Sequence, residues 1–176
     1  MSFFNTSRPV IAEVGKLKAI WQALYPKMDI RVLLADATIT EGQCVAHDFA
    51  DIATAAGSTT GITTAAQAIA VAAALEKVIP TSTNAAGEPA FCGVALHDAV
   101  AGGAILVCVG GFCPKVLFSG ATDVTAGEPL VAASTAGSVI KYAAGTHTNA
   151  CAIGIAVSTE TDTAGYVACI LKPTLP

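Results

Sequence analysis

The stretch FCGVALHDAVAGGAILVCV, Phe91–Val109, returns 61 residues later as AIGIAVSTETDTAGYVACI, Ala152–Ile170. Laid side by side without a gap, Gly93 falls on Gly154, Ala95 on Ala156 and Cys108 on Cys169, and the same offset puts Val78-Ile79 on Val139-Ile140. A second match lies upstream. VLLADATITEGQCV from Val32 aligns with VLFSGATDVTAGEPL from Val116, with one extra residue in the later copy, pairing Thr40 with Thr125 and Gly42 with Gly127. The pieces keep their order, so the body reads as two related modules, about 32–110 and 116–171, with an insertion at about 47–77 in the first.

Each module is composed of short apolar, β-branched runs separated by turn residues. Val32–Leu34, Ala104–Val109, Val116–Phe118 and Tyr166–Leu171 are such runs, bounded by Gly, Asp, Thr or Pro. Gly42, Gly127 and the Gly102-Gly103 pair supply turn positions where φ is free to be positive. The expectation is a mainly β protein, a small barrel or sandwich built from two repeated modules.

Two segments read as helices. Within the insertion, Thr63–Val78 is rich in good helix formers, follows Gly61 and stops before Pro80. Near the start, Ser7 can cap a helix with Arg8-Pro9 in its first turn that runs to about Tyr25. Val10, Val14, Leu17, Trp21 and Leu24 form one apolar stripe along it. Such a stripe ordinarily packs on its own domain. The alternative is a docking arm, residues 1–29, set apart from a β domain at 30–176. Charge separates these parts: residues 1–31 carry Arg8, Lys16, Lys18, Lys27 and Arg31 against Glu13 and Asp29, whereas the remainder is strongly acidic.

Hydrophobic residues make up 53% of the chain and charged ones 12%, about half the usual share, which excludes intrinsic disorder. A surface so short of charge is either covered by other chains or kept neutral by Thr, Ser and Gly. The net charge of −4 offers no field for nucleic acid. The 24 uncharged residues between Asp51 and Glu76 are too rich in Gly, Ser and Thr for a membrane span. The basic start lacks the apolar core of a secretory signal, which points to synthesis in the cytoplasm.

Catalytic candidates are sparse. His47 stands beside Asp48 and near Asp51, and His97 precedes Asp98, so either could serve as a base with an orienting carboxylate. Both fall at turns, as does His147. Cys44, Cys92, Cys108, Cys113, Cys151 and Cys169 form no C-x-x-C pair, and Cys92 aligns with Ile153, which favours small buried hydrophobes over zinc ligands or nucleophiles. No phosphate or dinucleotide loop occurs. Hence no enzyme, cofactor or metal is expected, and a small Cys/His hydrolase using His47, His97 or Cys44 is the remote alternative.

The doubled pattern GVALHDAVAGG at 93–103, VTAGEPLV at 124–131 and AIGIAV at 152–157 resembles the capsid decoration, or cement, proteins of tailed phages, small β-barrel proteins with related Gly/Ala-rich segments. The resemblance spans roughly residues 30–172; the insertion, the helical start and the six cysteines depart from it. It implies a structural protein on the outer surface of the virion head, bound to the major capsid protein and bridging shell subunits. A homo-oligomer is expected, a trimer if it occupies threefold lattice positions. Phe3, Phe4, Arg8, Val10, Val14, Leu17, Trp21 and Leu24 are the expected contacts with the shell. A tail or neck component is the alternative within the virion.

Overall fold

A computed structural model of the chain describes residues 11–57, 62–81, 91–120, 122–133, 135, 137–144, 146, 152–161 and 165–172. Among them, helix α1 (Ile11–Leu24) precedes strands β1 (Met28–Ala35) and β2 (Cys44–His47). Helices α2 (Phe49–Ala56) and α3 (Ala65–Ala74) follow, then β3 (Lys77–Pro80), β4 (Phe91–Ala95), β5 (Ala104–Phe118), β6 (Pro129–Ala132), β7 (Val139–Lys141), β8 (Ala152–Ala156) and β9 (Gly165–Leu171).

The strands run β1-β3-β2-β4-β5, and β5 pairs back onto β1, which closes a five-stranded barrel. From β5 the order continues β7-β6-β8-β9, and β9 pairs back onto the second half of β5. The protein is thus two closed barrels fused along one 15-residue strand, β5. In both, one parallel pair (β1–β3, β5–β7) stands among antiparallel ones. Closure leaves none of the described strands as an unpaired edge.

The correspondence extends to details. A register shift falls between Val45 and Ala46 against β4, and between Leu130 and Val131 against β8, with Gly93 and Gly154 as the facing residues. A Cβ on Gly93 would lie on the Cys108 carbonyl oxygen, and one on Gly154 would lie 2.7 Å from that of Ile170. Both barrels therefore need glycine at a site where the adjoining backbone passes too close for a side chain. The turns match as well: Ile39 exchanges hydrogen bonds with Ala99, and Val124 with Glu160. Thr40 N–H donates to Gln43 Oε1 as Thr125 N–H donates to Glu128 Oε2. Gly42 and Gly127 take φ of +85° and +95° in these turns.

The hydrogen bonds correct the sequence alignment by small slips. Val94 pairs with Cys108 while its counterpart Ile155 pairs with Ile170, so the structural mate of Cys169 is Val107, not Cys108. Likewise Ala35 and Phe118 occupy one position, opposite Val78 and Val139, so Val116 matches Leu33 rather than Val32. The slips arise in loops of unequal length, and burial identifies the register: Leu33 and Val116 are buried, Val32 is exposed.

Interior residues follow the alternation. Leu33, Ala35, Val45, Val78, Ile105 and Val107 fill the first barrel. Val116, Phe118, Leu130, Val139, Val167 and Leu171 fill the second, in a cluster that continues across the junction to Val94, Leu106 and Cys108 on the outer face of the first.

The insertion contains two helices where one was expected. Asp48 Oδ1 accepts the Asp51 N–H at the start of α2, and Gly57, at φ +59°, ends it. Thr64 and Gln67 form a capping box at the start of α3. That helix ends at Ala74 rather than Val78, because Val78 and Ile79 are held in the ladder with β2. Tertiary pairing outweighs the helix propensity of the run leading into them.

Candidate docking surfaces

The N-terminal helix is seated on the body. Val14 is buried, and Leu17, Trp21 and Tyr25 pack against the core cluster that contains Met28, Ile30 and Cys113. Trp21 stacks on Tyr25 at 5.6 Å between ring centroids, and Tyr25 meets Phe112 at the same distance. Of the expected contact residues, Val14, Leu17 and Trp21 are therefore engaged with their own chain. Leu24 is 67% exposed. Phe3, Phe4, Arg8 and Val10 lie outside the described residues. Val14, Leu17 and Trp21 thus join the protein's own core.

Leu24 borders a groove of about 180 Å³ whose other walls are Tyr25, Pro26, Lys27 and Phe112. Gly111 makes it possible: at φ +78° a Cβ there would lie on the Lys27 carbonyl oxygen, so only glycine lets β5 pass this turn. Tyr25 and Phe112 were not among the residues singled out from sequence. Tyr25 sits one past the stripe, next to the helix-ending proline, and Phe112 lies where the duplication breaks between modules.

Of the candidate catalytic groups, His97 is tied to the backbone on both ring nitrogens. His97 Nε2 accepts the Leu106 N–H at 3.1 Å, and Nδ1 lies 2.8 Å from the Asp98 carbonyl oxygen, an arrangement that requires the Nδ1–H tautomer. In the second barrel Ser158 Oγ accepts the Ala168 N–H in the same place, so the imidazole closes a strand connection. Asp98 Oδ1 caps the Glu41 N–H across the barrel. Asp51 is drawn to Lys77 at 2.6 Å, which lowers its carboxyl below the ordinary range; hydrogen bonds to Asp51 and Asp36 raise the ammonium. Lys77 pairs with Asp36 as well, at 3.3 Å, and Asp48 lies within 4.8 Å of these two carboxylates. His47 is half-buried.

Five cysteines are described, all buried free thiols. Burial pushes Cys44 well up, Cys92 to about 11 and Cys169 to about 12. A hydrogen bond between Cys108 and Cys113 lowers the former and raises the latter. Cys44 is accordingly a protonated core residue, the opposite of what a nucleophile needs. Cys151 and His147 lie outside the described residues. Among the described residues, no helix is long and apolar enough to cross a membrane.

A further apolar surface lies on the outer wall of the second barrel. Ile155 and Ile170 are direct cross-strand partners and Val157 stands beside them, all exposed. On the first barrel Val32 and Leu34 are the exposed outer residues of β1, beyond Met28 and Ile30 in the core cluster that α1 joins. Strand alternation was legible there, but which face is outside became clear only with the corrected register.

No protein-family profile matches the sequence, and no curated protein does either. Among solved structures, the chain is similar in fold to the N base of the head fiber gp8.5 of bacteriophage phi29. The likeness has a TM-score of 0.50 at 11% identity and covers 83% of this chain and 95% of that one.

Proposed function

We propose that the protein is a non-enzymatic structural component of a phage virion, held on the outer surface of the head by the major capsid protein and bridging neighbouring shell subunits. The observation that carries this reading is the fold likeness to a head fiber base, which covers 83% of the chain. It agrees with the motif resemblance to decoration proteins, although the two rest on different features. The scarcity of chemistry-bearing groups is in keeping with a mechanical role: His97 serves a strand connection and the described thiols are buried. The low charge content suits a protein that spends its life covered, as a homo-oligomer, with a trimer fitting threefold lattice positions.

We assign attachment to Phe3, Phe4, Arg8 and Val10 of the N-terminal segment, together with Leu24, which is exposed at its groove. Several weak arms engaged at once hold far more firmly than one. The basic charge of the first 31 residues adds attraction to an acidic shell and weakens with salt.

The test is co-sedimentation of purified protein with particles lacking it. Deletion of residues 2–10 is preferable to removal of α1, because loss of Val14 and Trp21 would open the core. Full-length protein should pellet with the particles, and the truncated protein and Leu24→Asp should remain in the supernatant as folded oligomers. Failure of the full-length protein to bind would contradict the head reading; full binding by both variants would contradict the assignment of the contact.

A further inference from the structure

The chain contains two copies of the same outer wall, and they have different fates. In the first barrel, Val94, Leu96, Leu106 and Cys108 face outward and are buried, in one continuous cluster with Val116, Phe118 and Val167 of the second barrel and Val14 of α1. Their counterparts in the second barrel, by the register of the β4–β5 and β8–β9 ladders, are Ile155, Val157, Ala168 and Ile170. Among the described residues nothing fully buries these: Ala168 is half-buried, and the three larger residues are 40% to 51% exposed. An apolar wall that is core in one barrel is therefore solvent-facing in the other.

The side of the second barrel that approaches the first also has a counterpart. Leu117 N–H donates to the Gly42 carbonyl at 2.8 Å, and Lys115 pairs with Glu41 at 2.8 Å. The positions equivalent to Lys115 and Leu117 are Val32 and Leu34, whose side chains are exposed on the outside of β1; the Leu34 N–H already donates to the Glu76 carbonyl at 2.9 Å, so only the side-chain part of the junction is open to another chain. Where the contact within the chain has Lys115 opposite Glu41, the equivalent free positions are Val32 and Ala126. A charged pair is replaced by two apolar residues, so these surfaces remain complementary to each other.

We propose that the Ile155–Ile170 wall is covered by the first barrel of a second copy, presented through Val32 and Leu34, so that copies join head to tail by repeating the contact between the two barrels of each chain. Such a contact uses different surfaces on its two sides and closes into a ring or runs on as a filament. With both barrels already closed, it must be made by side-chain faces and not by strand addition. In a ring of three chains, six barrels would follow one another through one kind of junction. The inference rests on the reading that the chain self-associates, and it supplies the surfaces.

The experiment is light scattering on the full chain and on two double variants, Ile155→Glu/Ile170→Glu and Val32→Glu/Leu34→Glu. All four positions are exposed, and circular dichroism verifies the fold of each. Wild type should be oligomeric and each variant should fall to the 17.6 kDa single-chain mass. Mixing the two variants should restore a two-chain complex, because each retains the surface the other has lost. A monomeric wild type would overturn the self-association reading itself. An oligomeric wild type with both variants unchanged in mass would overturn only these surfaces. An Ile155→Glu/Ile170→Glu variant that stays oligomeric but no longer binds particles would assign the wall to the shell and overturn the proposal.

Discussion

The first and second barrels share strand order, bulge position, turn hydrogen bonds and a glycine at the same crossing, yet they solve different packing problems. The first carries a helical excursion between β2 and β3 and is filled differently, with Ala35 where the second has Phe118. Its β4–β5 wall is core, whereas the equivalent wall of the second is bare. Duplication preserved what closes a barrel; divergence is concentrated on what each barrel touches.

The largest effect should come from the shared crossing. Gly93→Val and Gly154→Val each drive a side chain into a neighbouring backbone carbonyl that cannot move without breaking the ladder. Neither variant should be recovered as folded protein. A folded Gly93→Val protein with near-native melting would break the equivalence of the two sites.

Next is the difference in filling. Phe118 is fully buried in the second barrel, and Phe118→Ala should cost about 3–5 kcal/mol in chemical denaturation, the usual range for a large aromatic lost from a core. A loss under about 1 kcal/mol would mean that the second barrel is not packed around this ring.

The third contrast is His97 with Ser158. His97→Ala leaves the Leu106 N–H without its acceptor and should cost about 1–3 kcal/mol, the range for an orphaned buried donor. An unchanged melting curve would show that the imidazole does not close the connection.

The smallest effect concerns Cys92, which occupies the place of Ile153. Its pKa of about 11 exceeds that of an unfolded thiol, near 8.5, so the unfolded chain releases the proton first. The associated stability is complete below the unfolded pKa and is lost as pH rises toward 11. Cys92→Val should therefore flatten the fall in stability between pH ~8.5 and ~9.5 by about 1 kcal/mol, following 1.36 kcal/mol per pKa unit. Parallel pH profiles for the two proteins would contradict this.

Much of this comparison was legible in the residues. Gly93 and Gly154, Thr40 and Thr125, and the apolar runs between them were enough to read a duplicated β body with an inserted segment. The register was not legible, because Ala and Val repeat so often that a one-residue slip keeps nearly as many identities. Only the strand pairing, Ala95 with Val107 and Ala156 with Cys169, separates Cys108 from Val107 as the mate of Cys169. The stripe Val14, Leu17, Trp21 was visible, but a helical period shows which face is apolar and not which chain covers it. Tyr25, Phe112 and the Ile155–Ile170 wall were missed for a related reason: their significance depends on neighbours distant in sequence.

The central claim is that this double barrel is a coat on the outside of a phage head, and its copy number tests that most directly. On a stained gel of purified particles, quantified against the major shell protein, the account predicts a band present in many copies, in a fixed ratio to the shell subunit. Absence from the particles, or only the few copies of a tail or neck component, would contradict it.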